Sequence, residues 1–166
     1  MKTQSFTLPI STSEGEFLAH YSQRGLSALN FPDRRDSVQS TKPENDIPSE
    51  VREWHQTTGS ALNKLLAGEK RVKFPPLDMS GTDFQKRVWR EMLKISPGKT
   101  KSYGEIAEAI GKPGAVRAVG GACGANPIPV FVPCHRVLAA NQKIGGFSSG
   151  LHWKYKLLKK EGVLIA

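Results

Sequence analysis

The chain has 166 residues, 38% hydrophobic and 23% charged, a balance that suits one compact domain or two small ones and excludes a disordered or fibrous chain. No apolar run approaches the ~18 residues that span a bilayer, and Met1-Lys2-Thr3-Gln4-Ser5 lacks the apolar stretch of a secretory signal, so a cytosolic protein is expected. The net charge of +9 is uneven. Residues 1–80 carry ten Lys/Arg and ten Asp/Glu, whereas residues 81–166 carry fourteen and five, so the whole excess lies in the second half. A polyanion partner for that half is one reading, because Lys and Arg displace phosphate counterions. A basic surface kept for solubility is the other.

The first thirty residues read as a β-meander. Phe6-Thr7-Leu8 and Phe17-Leu18-Ala19-His20-Tyr21 flank a Ser13-Glu14-Gly15 turn, and Arg24-Gly25 leads into residues 26–31. Residues 32–48, rich in Pro, Asp, Ser and Asn, read as an exposed connection. Ser49 is placed to cap a helix reaching about Ala67, with Val51, Trp54, Leu62, Leu65 and Leu66 near one face and Gly68 as the stop. Residues 71–74 suggest a short strand. Pro75-Pro76-Leu77-Asp78 reads as a linker, where the charge also changes, so a domain boundary is expected near residue 80.

The second half is more sharply punctuated. Thr82-Asp83-Phe84-Gln85 and Ser102-Tyr103-Gly104-Glu105 both fit the capping box, in which a hydroxyl and a Glu or Gln three residues later satisfy orphan amides at a helix start. The first helix ends at Pro97-Gly98 and the second at Gly111. Lys112-Pro113 makes a tight turn, and a third helix covers about 114–125, stopped by Asn126-Pro127. Two short helices joined this way suggest a helix-turn-helix. The third helix holds Ala118, Gly120, Gly121 and Ala122, and each interior glycine costs about 1 kcal/mol relative to alanine. Such residues suit close approach of another surface, either a DNA backbone or a neighbouring helix.

Val130-Phe131-Val132 reads as a buried strand, followed by Pro133-Cys134-His135-Arg136-Val137. A cysteine beside a histidine and an arginine is a candidate nucleophile, since the thiolate is the attacking form and both neighbours can favour it. Cys123 has no such company and reads as a core or helix-face residue. With two cysteines, no Cys-x-x-Cys and scattered histidines, neither a disulfide nor a metal site is expected. A Gly145-Gly146-Phe147-Ser148-Ser149-Gly150 loop precedes a final helix over 151–160. Glu161, just past its end, would orient His135 if it folded back.

Over residues 81–162 the chain resembles the O6-alkylguanine-DNA alkyltransferases. The resemblance rests on Ser102-Tyr103-Gly104-Glu105, Arg117-Ala118-Val119-Gly120, Asn126-Pro127, Pro133-Cys134-His135-Arg136-Val137 and Leu157-Leu158-Lys159-Lys160-Glu161-Gly162. It implies an α/β fold: a small N-terminal domain, 1–80, of β-meander plus helix, then a mainly helical domain, 81–166, with a winged helix-turn-helix. It implies single, irreversible transfer of an alkyl group from O6-alkylguanine in double-stranded DNA to Cys134, with O4-alkylthymine a further candidate substrate. It implies no cofactor, metal or membrane, and a monomeric protein.

Residue by residue, the resemblance implies that His135 and Glu161 relay to Cys134 through water, and that Asn126 ties the recognition helix to the active-site segment. Tyr103 would assist proton delivery to the leaving guanine, and Arg117 would fill the space of the flipped base. Ala118, Gly121 and Arg136 would meet DNA; Val137, Ser148 and Ser149 would border the substrate pocket. Ser149 departs from the second glycine of many members, which bears on tolerance of bulky alkyl groups. There is no N-terminal extension of the kind that repairs phosphotriesters, so that activity is not expected. An alkyltransferase-like protein that binds lesions without repair lacks the acceptor cysteine. A winged-helix regulator would not explain Tyr103, Arg117, Asn126 and Glu161 together, and a Cys-His hydrolase would need an oxyanion hole that the sequence does not display.

Overall fold

The computed structural model describes residues 4–34 and 46–165. Three antiparallel strands, β1 (Phe6–Thr12), β2 (Gly15–Tyr21) and β3 (Leu26–Asn30), form a meander in the order β1-β2-β3, with Phe6 opposite Tyr21 and Leu18 opposite Asn30. Helix α1 (Ser49–Leu66) packs against β1. Most of the anticipated 32–48 connection lies outside the described residues.

Helix α2 (Asp83–Leu93) is followed by a two-residue strand β4 (Lys101–Ser102), helix α3 (Tyr103–Ala109) and helix α4 (Val116–Gly124). Strand β5 (Val137–Leu138) pairs in parallel with β4, and α5 (Leu151–Lys160) closes the chain. Both capping boxes form: Thr82 Oγ1 accepts from Gln85 N while the Gln85 side chain accepts from Thr82 N, and Ser102 and Glu105 repeat the arrangement. The helix-turn-helix is α3 and α4, both packed on α2. Trp89 of α2 donates Nε1–H to the Ala122 carbonyl at 2.8 Å.

Three local expectations need correction. Ser49 does not cap α1; Pro48 holds the cap position and no side chain bonds there. Residues 71–74 are not a strand, because the pairing falls three residues later, where Leu77 bridges Leu26. Val130-Phe131-Val132 is buried but is a turn, with Val130 at φ 74° and Val132 N donating to Ile128 O. The Val132 amide is thus satisfied locally rather than by a ladder.

The Pro75-Pro76-Leu77-Asp78 segment is held against β3. Leu26 N donates to Pro76 O at 2.8 Å, Asp78 N donates to Leu26 O at 2.8 Å, and Ser22 Oγ donates to Asp78 Oδ2 at 2.5 Å. One hydrophobic cluster runs through both halves, from Phe6 and Leu62 to Trp89, Phe131 and Leu157. Its N-terminal part grips α5: the Phe17, Phe31 and Trp153 rings pack at tilted and edge-on angles with centroids 4.7–5.7 Å apart, and Asp33 Oδ2 accepts from His152 Nε2 (2.8 Å) and Trp153 Nε1 (3.1 Å). Among the described residues no helix is long and apolar enough to cross a membrane.

Candidate active site and nucleic-acid interface

Pro133 ends the turn, and residues Cys134–Arg136 form a single 3₁₀ turn that buries all three side chains. Asn126, at the end of α4, holds this segment. Its Nδ2 donates to Val132 O at 2.8 Å and its Oδ1 accepts from Ile128 N at 2.9 Å. The helix that carries Arg117 is thereby fastened to the turn that leads into the cysteine.

Glu161 lies where α5 stops. Gly162 adopts φ 82°, so the chain reverses and the C-terminal carbonyls are met by Gly162 N and Val163 N. The Glu161 carboxylate then points inward. Its Oε1 accepts from His135 Nε2 at 2.7 Å, and both oxygens accept from Arg136 Nε at 2.7 and 3.0 Å. Arg136 Nη1 also donates to Ile95 O at 2.7 Å, just beyond α2. Arg136, expected from the sequence to meet DNA, is instead turned into the protein. Its guanidinium is consumed by Glu161 and a carbonyl inside the protein, and the residue is 7% exposed.

The ionisation states follow from burial and these partners. Burial pushes the Cys134 thiol up to about 11, against the pull of Asn126, the Lys154 charge and the Cys134 and His135 amides. Burial also lowers His135, and although Glu161 raises it, the net shift is downward, so the imidazole rests neutral. Burial would raise Glu161, but His135 and Arg136 outweigh it and hold the carboxylate ionised. With Nε2–H committed to Glu161, the lone pair of the neutral ring is on Nδ1. Among the described residues, that atom is the buried side-chain nitrogen or oxygen left without a hydrogen-bond partner.

Cys134 opens on a cavity of about 310 Å³ lined also by Tyr103, Gly120, Cys123, Gly124, Gly146, Phe147 and Ser148. Tyr103 crosses to the loop after β5: a Cβ at Gly145 would lie 2.8 Å from the Tyr103 hydroxyl, and Gly146 N donates to that oxygen at 3.4 Å. Burial raises the phenol pKa, keeping it a proton donor at neutral pH. Ser148 reaches the cavity lining; Ser149 and Val137 do not. Val137 is fully buried and its carbonyl is taken by Lys154.

A wider groove of about 640 Å³ between residues 70–74 and the end of α2 is lined by no cysteine or histidine. Among the described residues, no group of three or more His, Cys, Asp or Glu side chains could hold a metal ion.

Residues 83–163 match the family model described as the 6-O-methylguanine DNA methyltransferase, DNA binding domain. The methylated-DNA–protein-cysteine methyltransferase of Methanosarcina acetivorans is 40% identical over 148 residues, covering 89% of this chain and 92% of its own. This chain belongs to that family. The Mycobacterium tuberculosis member is 53% identical over 100 residues, which span 60% of this chain and 61% of the relative. A crystal structure of Mycobacterium tuberculosis OGT in complex with DNA superposes with a TM-score of 0.73 at 37% identity, covering 95% of this chain and 91% of that one.

In this methyltransferase-family chain, α4 turns Val119, Ala122 and Cys123 inward and leaves Arg117, Ala118 and Gly121 exposed. A Cβ added at Gly120, Gly121 or Gly124 would meet nothing within 4 Å. These glycines therefore do not serve close packing inside the protein, which leaves the bare outer face open to an approaching backbone.

One residue escaped the sequence reading. Lys154 is fully buried, donating Nζ–H to Val137 O (2.7 Å) and Gly146 O (3.0 Å), with its ammonium 5.8 Å from the Tyr103 ring centroid. Burial lowers its pKa to about 8, partly offset by Cys134 and Cys123. The signal was present, because Lys154 shares the helical face of Leu157, Leu158 and Glu161 at spacings of three, four and seven. Cys123, read as a core or helix-face residue, is both buried and on α4, and it also borders the cavity.

Proposed function

We propose that the protein repairs DNA by moving an alkyl group, methyl above all, from O6 of guanine to Cys134, once per molecule and without cofactor. The observation that carries this is the setting of Cys134. A buried thiol lines a cavity beside the bare face of α4, and a neutral imidazole fixed by Glu161 keeps one acceptor nitrogen free in the same segment.

The O6 substituent of a stacked guanine is out of reach, so the nucleotide must leave the duplex, at a cost of a few kcal/mol. Arg117, exposed on α4, would take its place in the stack, while Ala118 and Gly121 admit the DNA backbone. Because the thiol pKa lies near 11, the resting group is protonated and needs a base. A water between Cys134 Sγ and His135 Nδ1 would pass the proton to the ring, and Glu161 would balance the imidazolium. The thiolate attacks the alkyl carbon, the C–O6 bond breaks, and guanine takes a proton from the Tyr103 hydroxyl. The product thioether is not reversed by thiol exchange, so each chain, acting as a monomer in the cytosol, is spent after one event. O4-alkylthymine offers the same bond to the same sulfur.

The test is intact-protein mass after incubation with duplex containing O6-methylguanine. One gain of about 14 Da, as for a thiol methylated once, mapped to Cys134, supports the reading. Tight lesion binding with no mass gain, or transfer persisting in Cys134→Ala, overturns it.

A further inference from the structure

The chemistry above leaves Cys123 without a task. It is a free thiol, 6% exposed, on α4, and it borders the same cavity of about 310 Å³ as Cys134. Its companions on that wall, Gly120 and Gly124, carry no side chain that would screen it. Its proton is directed at Met92 Sδ, 3.6 Å away on the core side, which leaves sulfur lone pairs for the cavity. The sulfurs are electrostatically coupled: charge on Cys134 opposes ionisation of Cys123, and the Lys154 ammonium favours the thiolate of both.

We propose that Cys123 is a second alkyl acceptor, which closes a two-carbon bridge to Cys134 when the group taken from guanine carries a halide on its second carbon. This rests on the transfer reading above.

The steps balance without an oxidant or any further reagent. Cys134 thiolate displaces guanine from a 2-haloethyl group, giving Cys134–S–CH₂–CH₂–X. A 2-halothioether is activated from within: the Cys134 sulfur lone pair expels the halide and closes a three-membered episulfonium ring. The Cys123 sulfur opens that ring at carbon, forming the second C–S bond and returning the electron pair to Cys134. Its proton leaves to solvent, so the sum is loss of HX and formation of S–CH₂–CH₂–S. A sulfur already in the cavity acts intramolecularly, the advantage that positioning gives any reacting pair over a solvent competitor. Capture by water would leave a 2-hydroxyethyl thioether instead.

The experiment exposes the full-length protein to duplex bearing O6-(2-chloroethyl)guanine, prepared immediately before use and freed of reagent. A parallel sample receives O6-methylguanine duplex. The bridged product gains about 26 Da and digests to a joined pair of Cys123 and Cys134 peptides, whereas the hydroxyethyl product gains about 44 Da. The bridge in the wild type, replaced by the hydroxyethyl product in Cys123→Ala, supports the proposal. With methyl transfer intact, three results overturn this inference alone: hydroxyethyl as the wild-type product, a link from Cys134 to any group other than Cys123, or the bridge mass surviving in Cys123→Ala. No gain in the methyl sample would sink the transfer reading, and this one with it.

Discussion

Lys154 and Glu161 reach the site from one face of α5, and each is a charge held indoors by specific partners. Replacing Glu161 with Gln leaves the Arg136 guanidinium buried without its counter-charge, and breaking such a pair costs about 3 kcal/mol. Chemical denaturation should show that loss for Glu161→Gln, and the double variant with Arg136→Met should lose less than the sum of the two single changes. Lys154 makes the opposite kind of contribution. Its pKa falls from 10.5 to about 8 on folding, so between those values the unfolded chain binds the extra proton and stability rises with pH. Below about pH 8 that contribution is absent and the buried charge is borne as a cost. Denaturation midpoints of the wild type should therefore climb relative to Lys154→Met between pH 8 and 10. On the acid side, His135 and Glu161 are both held below their ordinary values, so stability should fall as pH drops below about 6.5, where the unfolded histidine begins to take up protons first.

Among the elements, α4 makes a trade that can be separated by substitution. Gly121 is exposed with open space where a Cβ would stand, so Gly121→Ala should raise stability by about 0.5–1 kcal/mol through helix propensity alone. Gly121→Leu keeps the fold but plants a side chain on the face that would meet DNA. Its melting temperature should hold while affinity for duplex, read by fluorescence anisotropy, falls. Unchanged affinity would remove α4 from the interface. The elements themselves were unevenly legible. The two capping boxes and the bounds of α5 could be read directly, because each start and stop is set by residues within a few positions of it. The turn at Val130 could not. Its β-branched, aromatic run satisfies the pattern of a strand, but the segment turns instead, with Val130 at φ 74° and Asn126 bonded to Val132 O and Ile128 N on either side. Arg136 was placed against DNA by resemblance alone, and only the fold shows that Glu161, 25 positions later, binds it inside the protein.

For the molecule as a whole, the N-terminal half earns its place by holding α5 still. The Phe17, Phe31 and Trp153 rings, the Asp33 acceptor and the Glu14 carboxylate, paired with Lys156 at 2.7 Å and Lys160 at 3.3 Å, fasten the helix that delivers Lys154 and Glu161. The split in charge, the mixed architecture and the Cys134 segment were all visible in the sequence. The shared core was not, because it depends on which faces meet rather than on any local pattern. With one hydrophobic cluster spanning both halves, thermal unfolding should be a single transition with coincident near- and far-ultraviolet signals. Two resolved steps would mean that the halves are energetically separate.

The hydrogen bonds around Pro76 offer a way to watch the two halves part before either unfolds. The amides of Leu26 and Asp78 are engaged not within the meander but between β3 and the segment leading to α2. In native-state deuterium exchange they should be protected as strongly as sheet amides for as long as the halves stay docked. If undocking precedes global unfolding, these two amides will exchange ahead of their neighbours in β2. If it does not, they will exchange together with the core. The pair thus acts as a built-in gauge of separation at the one place where a proline-rich segment would otherwise pass for an idle tether.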